Sequence, residues 1–287
     1  MTSFSVVTVV YNDISHIIET MDSVIRQSYK QIEYILIDGG STDGTKEKII
    51  EHISSCADIT LEESQDGQFY LEATHKDCPN LTFKFLSERD KGIFDAMNKG
   101  VALAANNWIN FINCGDRFYN YDVLEQISDR KFQDCDVLYG NLEVVYLDQK
   151  TKIIKKTSRD LKKLCALFAY FGHPNCFVKT KVLKSNLFDL KYHLSADYDL
   201  IYRLYQKGYH FGFTDVIIAT FLSGGASDKK SNQSLKEALD IALFYNKQDK
   251  KTQIKIYLFY WVAKLKKIIK IWFPPFFGKI LLEILKR

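Results

Sequence analysis

Hydrophobic and polar positions along the first half of this chain switch between a period of about two and a period of about 3.6, and each switch marks an element. The run Phe4-Ser5-Val6-Val7-Thr8-Val9-Val10 predicts a strand at the N-terminus. A helix follows, with Ser15 as its expected cap and an end near Gln27. The second strand, Glu33-Tyr34-Ile35-Leu36-Ile37, runs into Asp38-Gly39-Gly40-Ser41-Thr42-Asp43-Gly44, and Thr42 or Asp43 starts a helix reaching toward Ile53. Residues 57 to 80 lack a clear period and contain Asp66-Gly67 and Pro79-Asn80, which predicts a hairpin or an irregular excursion. A strand from Leu81 to Leu86, a helix from Ile93 to Ala105 and a strand from Trp108 to Asn113 come next. A helix near residues 121 to 128 and a strand from Val137 to Asn141 complete this half. Strand and helix in alternation predict an α/β fold, because parallel strands need crossover helices.

Beyond residue 141 the pattern changes. Val144 to Lys156 alternates around Asp148-Gln149 like an antiparallel hairpin. Helices are expected near 158 to 169, 195 to 207 and 234 to 247, with a strand from His210 to Leu222 before the last. No internal repeat or low-complexity segment interrupts this order.

Composition narrows the class. A chain of 287 residues that is 46% hydrophobic and 26% charged can bury a core as one large domain, or as a domain with a subdomain. The net charge of +4 is mild, and no nucleic-acid motif accompanies the basic residues, so no nucleic-acid partner is expected. The six cysteines form no Cys-x-x-Cys pair and show no zinc spacing, so reduced cytosolic thiols are the expectation. The N-terminus enters a strand at once, so export is not expected either. No uncharged apolar run approaches the roughly 18 residues of a spanning helix.

Three strand ends carry short polar residues that a parallel sheet would bring to one edge. They are Tyr11-Asn12 after the first strand, Asp38 after the second, and Asp116 after the strand that ends at Asn113. In open α/β sheets ligands bind at that edge. Asp38 could accept from a ribose hydroxyl or from a base imide, and Gly39-Gly40 allow close backbone approach. Asp116, with Gly115 before it, suits a divalent metal chelated by a nucleotide diphosphate, although an Asp after Gly is also ordinary turn chemistry. Neither a Gly-x-Gly-x-x-Gly nor a P-loop follows the first strand, so a bound diphosphate would need a cation for its charge.

Four ordered segments carry a family resemblance: Thr8 to Asn12, Leu36 to Thr45, Asp90 to Gly100, and Phe111 to Asp116. Together, over roughly residues 3 to 227, the chain resembles the family 2 glycosyltransferases of GT-A fold, and among them the bacterial enzymes of O-antigen, capsule and exopolysaccharide synthesis. The resemblance implies a GT-A, Rossmann-like, mostly parallel central sheet with flanking helices. Residues 1 to 140 would be the nucleotide-sugar half and 141 to 230 the acceptor half. It implies that Tyr11, Asn12 and Asp38 touch the nucleoside, and that Asp90 and the helix bearing Asn98 line the same pocket. Asn113-Cys114-Gly115-Asp116 stands where the family has its Asp-x-Asp signature. Asn113 replaces the first acid, and Asp116 remains as the ligand of Mg²⁺ or Mn²⁺.

The segment Ser195-Ala196-Asp197-Tyr198-Asp199 resembles the family's acidic segment and places Asp197 at the catalytic position, as the base of an inverting transfer. By capping preference alone Asp197 or Ser195 is also a helix N-cap. Asp199 is expected to be a packing or supporting acid. His173, where relatives often carry His-Gln before a strand, is followed here by Pro174. Together with Asn113, Gly115 and Arg203 it is a candidate contact to donor or acceptor. Residues 223 to 227, Ser-Gly-Gly-Ala-Ser, with Lys229 and Lys230 behind them, are either a hinge that folds over donor phosphates or a solvated loop.

Residues 231 to 287 read as a helical C-terminal region. From Gln253 to Trp272 it is dense in Ile, Leu, Tyr, Phe and Trp punctuated by lysines, and a second amphipathic stretch follows Pro274-Pro275 from Phe276 to Arg287. A membrane-associating tail from about residue 253 is expected, with packing on the domain or on a second copy as the competing reading. The expectation is a cytoplasmic enzyme, peripheral on the inner membrane, that moves a sugar from a nucleotide sugar, in the first place a UDP-sugar, to a polyprenyl-diphosphate-linked acceptor. The alternatives are a nucleotidyltransferase and a non-catalytic nucleotide-sugar or glycan-binding subunit, the latter favoured by the missing first acid.

Overall fold

Strands in which every residue is apolar or internally satisfied can be covered on both faces, and the first two strands of this chain are of that kind. β1 (Phe4–Val10) and β2 (Ile32–Asp38) are buried at every position. The structure is a computed structural model describing residues 2 to 129, 132, 134 to 146, 151 to 162, 172 to 225 and 230 to 272, the last seven as backbone only. β1 lies between β2 and β6 (Trp108–Phe111), and β2 pairs in turn with β5 (Leu81–Ser87), all parallel. Successive residues of β1 feed two cores. Phe4, Val6 and Val10 pack on the side of α1 (Ile17–Ile25) and α2 (Thr45–Cys56), whereas Val7 and Val9 pack on the side of α3 (Ile93–Leu103).

The parallel core is extended at both margins by antiparallel pairs. Residues 57 to 80 form the hairpin of β3 (Ala57–Gln65) and β4 (Gln68–His75), with Asp66 and Gly67 at positive φ in its turn, and β4 adds to β5. On the other margin β10 (Cys176–Lys179) inserts antiparallel between β6 and β8 (Val137–Val145). β8 is followed across the sheet by β11 (Phe211–Leu222) and by β7 (Arg117–Phe118). β9 (Lys152–Lys155) pairs with the far end of β8, as the alternation of residues 144 to 156 predicts. One sheet therefore runs through both halves, and β8 crosses the boundary placed at residue 140.

Several local expectations shift. Ser15 does not cap α1: the helix starts at Ile17 with His16 before it, and no side chain caps it. Asp43 does organise the start of α2, because its Oδ1 accepts from the Thr45 amide at 3.0 Å while its Oδ2 accepts from the Ile14 amide. The helix near 121 to 128 is the short α4 (Val123–Ile127), and α5 (Thr180–Lys184) was not anticipated. The helix near 195 is α6 (Ala196–Gln206); that near 234 begins earlier as α7 (Ser231–Tyr245). α8 (Lys250–Trp272) follows and packs through Ile256 on Leu239 and Ala242 of α7. Of the helix expected over 158 to 169, residues 161 and 162 are helical and the remainder from 163 lies outside the described residues. Residues 226 to 229, which hold the end of the 223 to 227 loop and Lys229, and the stretch from Phe276 lie outside them as well.

α3 sits against β1 at Gly100, where a Cβ would come within 2.4 Å of Val7 Cγ1. The Val7 side chain is β-branched and fully buried, so it has little freedom to yield. Gly100→Ala is therefore expected to destabilise by about 1 to 3 kcal/mol despite the better helix propensity of Ala. The measurement is the denaturant midpoint at unchanged m-value; an equal or higher midpoint would contradict this packing.

Candidate active site at the strand-end edge

The C-terminal ends of β2, β1 and β6 are neighbours, and backbone bonds carry their pairing past the strands. The Gly39 amide donates to Val10 O, and the Cys114 amide donates to Val9 O. Side chains leaving these three ends consequently meet at one edge, about 5 Å apart from strand to strand.

Over β1 and β2 stands the first group. Asp38 is fully buried; both its oxygens lie within reach of the Ser41 amide, and Ser87 Oγ donates to Oδ2 at 2.7 Å. Asn12 holds a left-handed conformation, φ 50°, with its Oδ1 accepting from the Thr42 amide and its own amide donating to Ser41 Oγ. These bonds fix the 39 to 42 loop against β1. A Cβ on Gly39 would meet Asp90 Oδ2 at 2.4 Å and Tyr11 Cδ2 at 3.4 Å, so Asp90 and the exposed Tyr11 ring close over bare backbone. Burial raises the Asp90 carboxyl above its ordinary range, opposed by the Gly92 amide and Lys99. Asn98 does not join this group. Its amide exchanges both bonds with the Phe188 backbone, at 3.0 and 2.9 Å.

The second group follows β6. Residues 113 to 116 form a turn closed by the Asp116 amide on Asn113 O, with Gly115 at φ 94°, a conformation that a side chain would strain. Thr20 of α1 locks it: its Oγ1 accepts from the Gly115 amide and donates to Asp116 O. Asp116 is 5% exposed, with Oδ1 accepting from the Leu222 amide at 3.1 Å at the end of β11. Burial pushes its carboxyl up to about 7, with His173 and the Leu222 amide pulling the other way.

His173 begins a single 3₁₀ turn, His173–Asn175, that leads into β10. Its Nε2 accepts from Asn113 Nδ2 at 2.9 Å and lies 3.9 Å from Asp116 Oδ2. With Nε2 as acceptor, the ring proton sits on Nδ1, which faces Asp197 Oδ2 at 3.5 Å. Asp197 lies in the first turn of α6, and its other oxygen accepts from the Tyr198 amide. Neither Ser195 nor Asp197 is a side-chain cap: Ser195 Oγ instead donates to Ser234 O of α7. The strand-end acid and the helix acid thus stand on opposite sides of one imidazole, above an apolar pocket lined by Phe111, Phe188 and Leu200.

Arg203 is turned away from this cluster. It donates to Leu187 O at 2.8 Å and lies 3.3 Å from Asp199 Oδ2, so Arg203 and Asn98 pin the same 187 to 188 segment that supplies Phe188. Sequence reasoning missed what holds α6 in place. Tyr245 of α7 donates to the buried Asp199 at 2.9 Å and stacks on Tyr202, with centroids 4.7 Å apart, and Asn246 donates to the Tyr202 hydroxyl. Glu237 accepts from the Leu194 amide just before α6. None of these partners lies in a recognisable motif; only their helical spacing on α7 connects them.

A twisted α/β sheet whose strand ends gather acids over bare glycine backbone is the architecture of GT-A glycosyltransferases, and the comparisons agree. The glycosyl transferase family 2 model matches residues 5–190, and the chain belongs to that family. Among curated relatives, a PGL/p-HBAD biosynthesis glycosyltransferase of Mycobacterium bovis is 28% identical over 143 residues, 48% of this chain and 46% of its own. The match thus spans about half the length of that relative. The amylovoran biosynthesis glycosyltransferase AmsB of Erwinia amylovora is 28% identical over 227 residues, 73% of this chain and 66% of that protein. In fold, the chain is similar to S. aureus TarS 1-349 in complex with UDP-GlcNAc, with TM-score 0.61, 16% identity, and 90% of this chain and 70% of that one covered. It is likewise similar to mannosyltransferase PcManGT from Pyrobaculum calidifontis in complex with GDP-Man and Mn²⁺, with TM-score 0.60, 13% identity, and 98% and 78% covered.

The raised Asp116 carboxyl has a consequence for stability. Its folded value, about 7, exceeds the ordinary 3.8, so its contribution is fully present below about pH 3.8 and is lost as pH rises through about 7. In chelator-treated protein, Asp116→Asn is expected to gain stability relative to wild type between pH 5 and 8. The gain is on the order of 3 kcal/mol at most. Denaturant titrations at the two pH values measure it; a constant difference between the proteins would contradict the burial.

Proposed function

We propose that this chain is an inverting glycosyltransferase that moves a sugar from a nucleotide sugar, in the first place a UDP-sugar, to a sugar carried on a polyprenyl diphosphate. The protein would be cytoplasmic and peripheral on the inner membrane, in synthesis of a bacterial surface polysaccharide such as O-antigen, lipopolysaccharide, capsule or exopolysaccharide. One observation carries the reading: Asp116 and Asp197 flank the same histidine at the edge where Tyr11, Asp38 and Asp90 gather. That geometry supports a donor whose nucleoside lies over Gly39 and whose diphosphate reaches Asp116. Residues 1 to 140 then form the donor half, 141 to 230 the acceptor half, and 231 to 287 the C-terminal helical region.

In this reading Tyr11 and Asp90 wall the nucleoside, and Asp38 and Asn12 hold the loop beneath it. Asn98 contributes indirectly, by fixing the Phe188 segment under the acceptor side. Arg203 does the same from α6. Asp197 removes the proton of the acceptor hydroxyl as that oxygen bonds to the anomeric carbon and the carbon–diphosphate bond breaks on the opposite face. His173 orients Asp197 through Nδ1 and keeps the two carboxylates apart.

Among the described residues no group of three or more His, Cys, Asp or Glu side chains could by itself hold a metal ion. The residues nonetheless fit Mg²⁺ or Mn²⁺ as part of a shared shell. Asp116 offers a carboxylate, and the buried Asn113 Oδ1 has no hydrogen-bond partner. The diphosphate would supply further oxygens. A bound ion would neutralise charge on the leaving diphosphate.

Asp197→Asn is expected to lower transfer by about 10² to 10⁴ while calorimetric binding of the UDP-sugar stays unchanged. Wild type that binds the donor yet transfers to no acceptor would instead favour a non-catalytic binding subunit. Asn113→Asp is expected to tighten metal-dependent UDP binding about tenfold, as a second carboxylate beside the ion would. Titration of Mn²⁺ at fixed UDP measures this, and an unchanged midpoint would remove residue 113 from the metal shell.

A further inference from the structure

α8 is apolar on two opposite faces, and among the described residues only one of them is covered. Ile256 is fully buried against Leu239 and Ala242 of α7, with Tyr260 partly buried one turn on. At 100° per residue the opposite direction is occupied by Ile254, Tyr257, Leu258, Trp261 and Leu265. Their exposures run from 44% at Leu265 to 62% at Leu258 and Trp261. Five large apolar side chains thus form one continuous stripe of about 100° on the surface of an otherwise well-packed protein.

The charge along the helix identifies the occupant. Between Lys250 and Trp272 there are seven lysines and no Asp or Glu. Lys255 and Lys264 stand on opposite margins of the stripe, and Lys264 Nζ lies 5.5 Å from the Trp261 ring centroid. A second copy of α8 laid on this stripe would set lysine against lysine with no acid to answer it. An anionic lipid surface answers both features, since lysines reach phosphates while indole and leucine enter the acyl boundary. No helix among the described residues is long and apolar enough to cross a membrane, so α8 would lie in the plane.

We propose that the outward stripe of α8 is a docking surface for an anionic lipid bilayer. The covered face says what the docking orients. Ile256 belongs to the same cluster as Tyr198, the residue next to Asp197, so the helix pair that meets the bilayer also packs on the turn carrying that acid. Lipid seating would present Asp197 to hydroxyls close above the membrane. Only this purpose rests on the lipid-linked-acceptor reading; the surface itself does not.

The test is sedimentation of the full chain with vesicles of phosphatidylcholine alone or mixed with phosphatidylglycerol, beside the double variant Leu258→Glu, Trp261→Glu. Both positions are exposed, and circular dichroism and UDP-sugar binding verify that the variant remains folded. Wild type is expected to bind the anionic vesicles, to release with added salt, and to bind neutral vesicles weakly. The variant is expected to lose at least about tenfold in partition. Absence of binding to anionic vesicles, or equal binding by the variant, would overturn the proposal. So would a monomer–dimer equilibrium, measured by ultracentrifugation, that the variant abolishes while vesicle binding persists. Vesicle binding without any glycosyl transfer would leave the surface standing and remove the enzymatic reading, so the two fail separately.

Discussion

A carboxylate without solvent needs its surroundings to compensate the loss, and Asp116 is placed where that compensation comes from four separate parts of the chain. Thr20 on α1 ties the turn, the Leu222 amide at the end of β11 holds one oxygen, and His173 before β10 faces the other. The strand β6 supplies the rigid approach. Residues 20, 116, 173 and 222 are remote in sequence, so this one side chain reports on whether both margins of the sheet are assembled. Burial without a full complement of partners is also why the carboxyl is held near 7, and why it is suited to meeting a cation rather than remaining an ion in isolation.

The same economy of contacts recurs at α6. Asp197 sits in a first turn whose neighbours on both sides are fastened to α7: Leu194 and Ser195 before it, Asp199 and Tyr202 after it. The match to the family model ends at residue 190, short of the turn that carries Asp197 and of the helices that secure it.

Much of this architecture is legible in the sequence, for physical reasons that can be named. β1, β2 and β5 are short β-branched or aromatic runs bounded by turn residues, and parallel pairing follows from the helices between them. Tyr11, Asp38 and Asp116 are legible because Asp38 ends β2 while Tyr11 and Asp116 follow the ends of β1 and β6, and parallel strands bring those ends to one edge. β10 was hidden because Cys176 to Lys179 is only four residues long and takes its place through antiparallel pairing with β6 and β8, which no local pattern encodes. Ser15 misled because the best capping residue stands one position before the cap position, His16, that the packing of Ile17 against the core sets. Asn98 and Arg203 lie on helices that point toward the site, yet their side chains engage the backbone of 187 and 188. That backbone arrives from a loop whose position depends on α5, a helix the pattern did not reveal.

Asn113 is where sequence and structure sharpen each other. As a sequence feature it is a missing acid beside Asp116. In the structure its amide nitrogen donates to His173 while its buried oxygen has no partner, an arrangement an aspartate could not reproduce, since a carboxylate has nothing to donate to an unprotonated imidazole. With Asp at 113 the bond from the amide nitrogen to His173 Nε2 would be lost, and with it a contact that orients the ring toward Asp197. The amide therefore supplies His173 with a donor that a carboxylate lacks, whereas in the proposed metal shell a carboxylate would add a ligand. On the proposed reading residue 113 is thus a choice between holding a cation more tightly and keeping the link to His173 that stands between the two acids, and this chain carries the residue that makes the link.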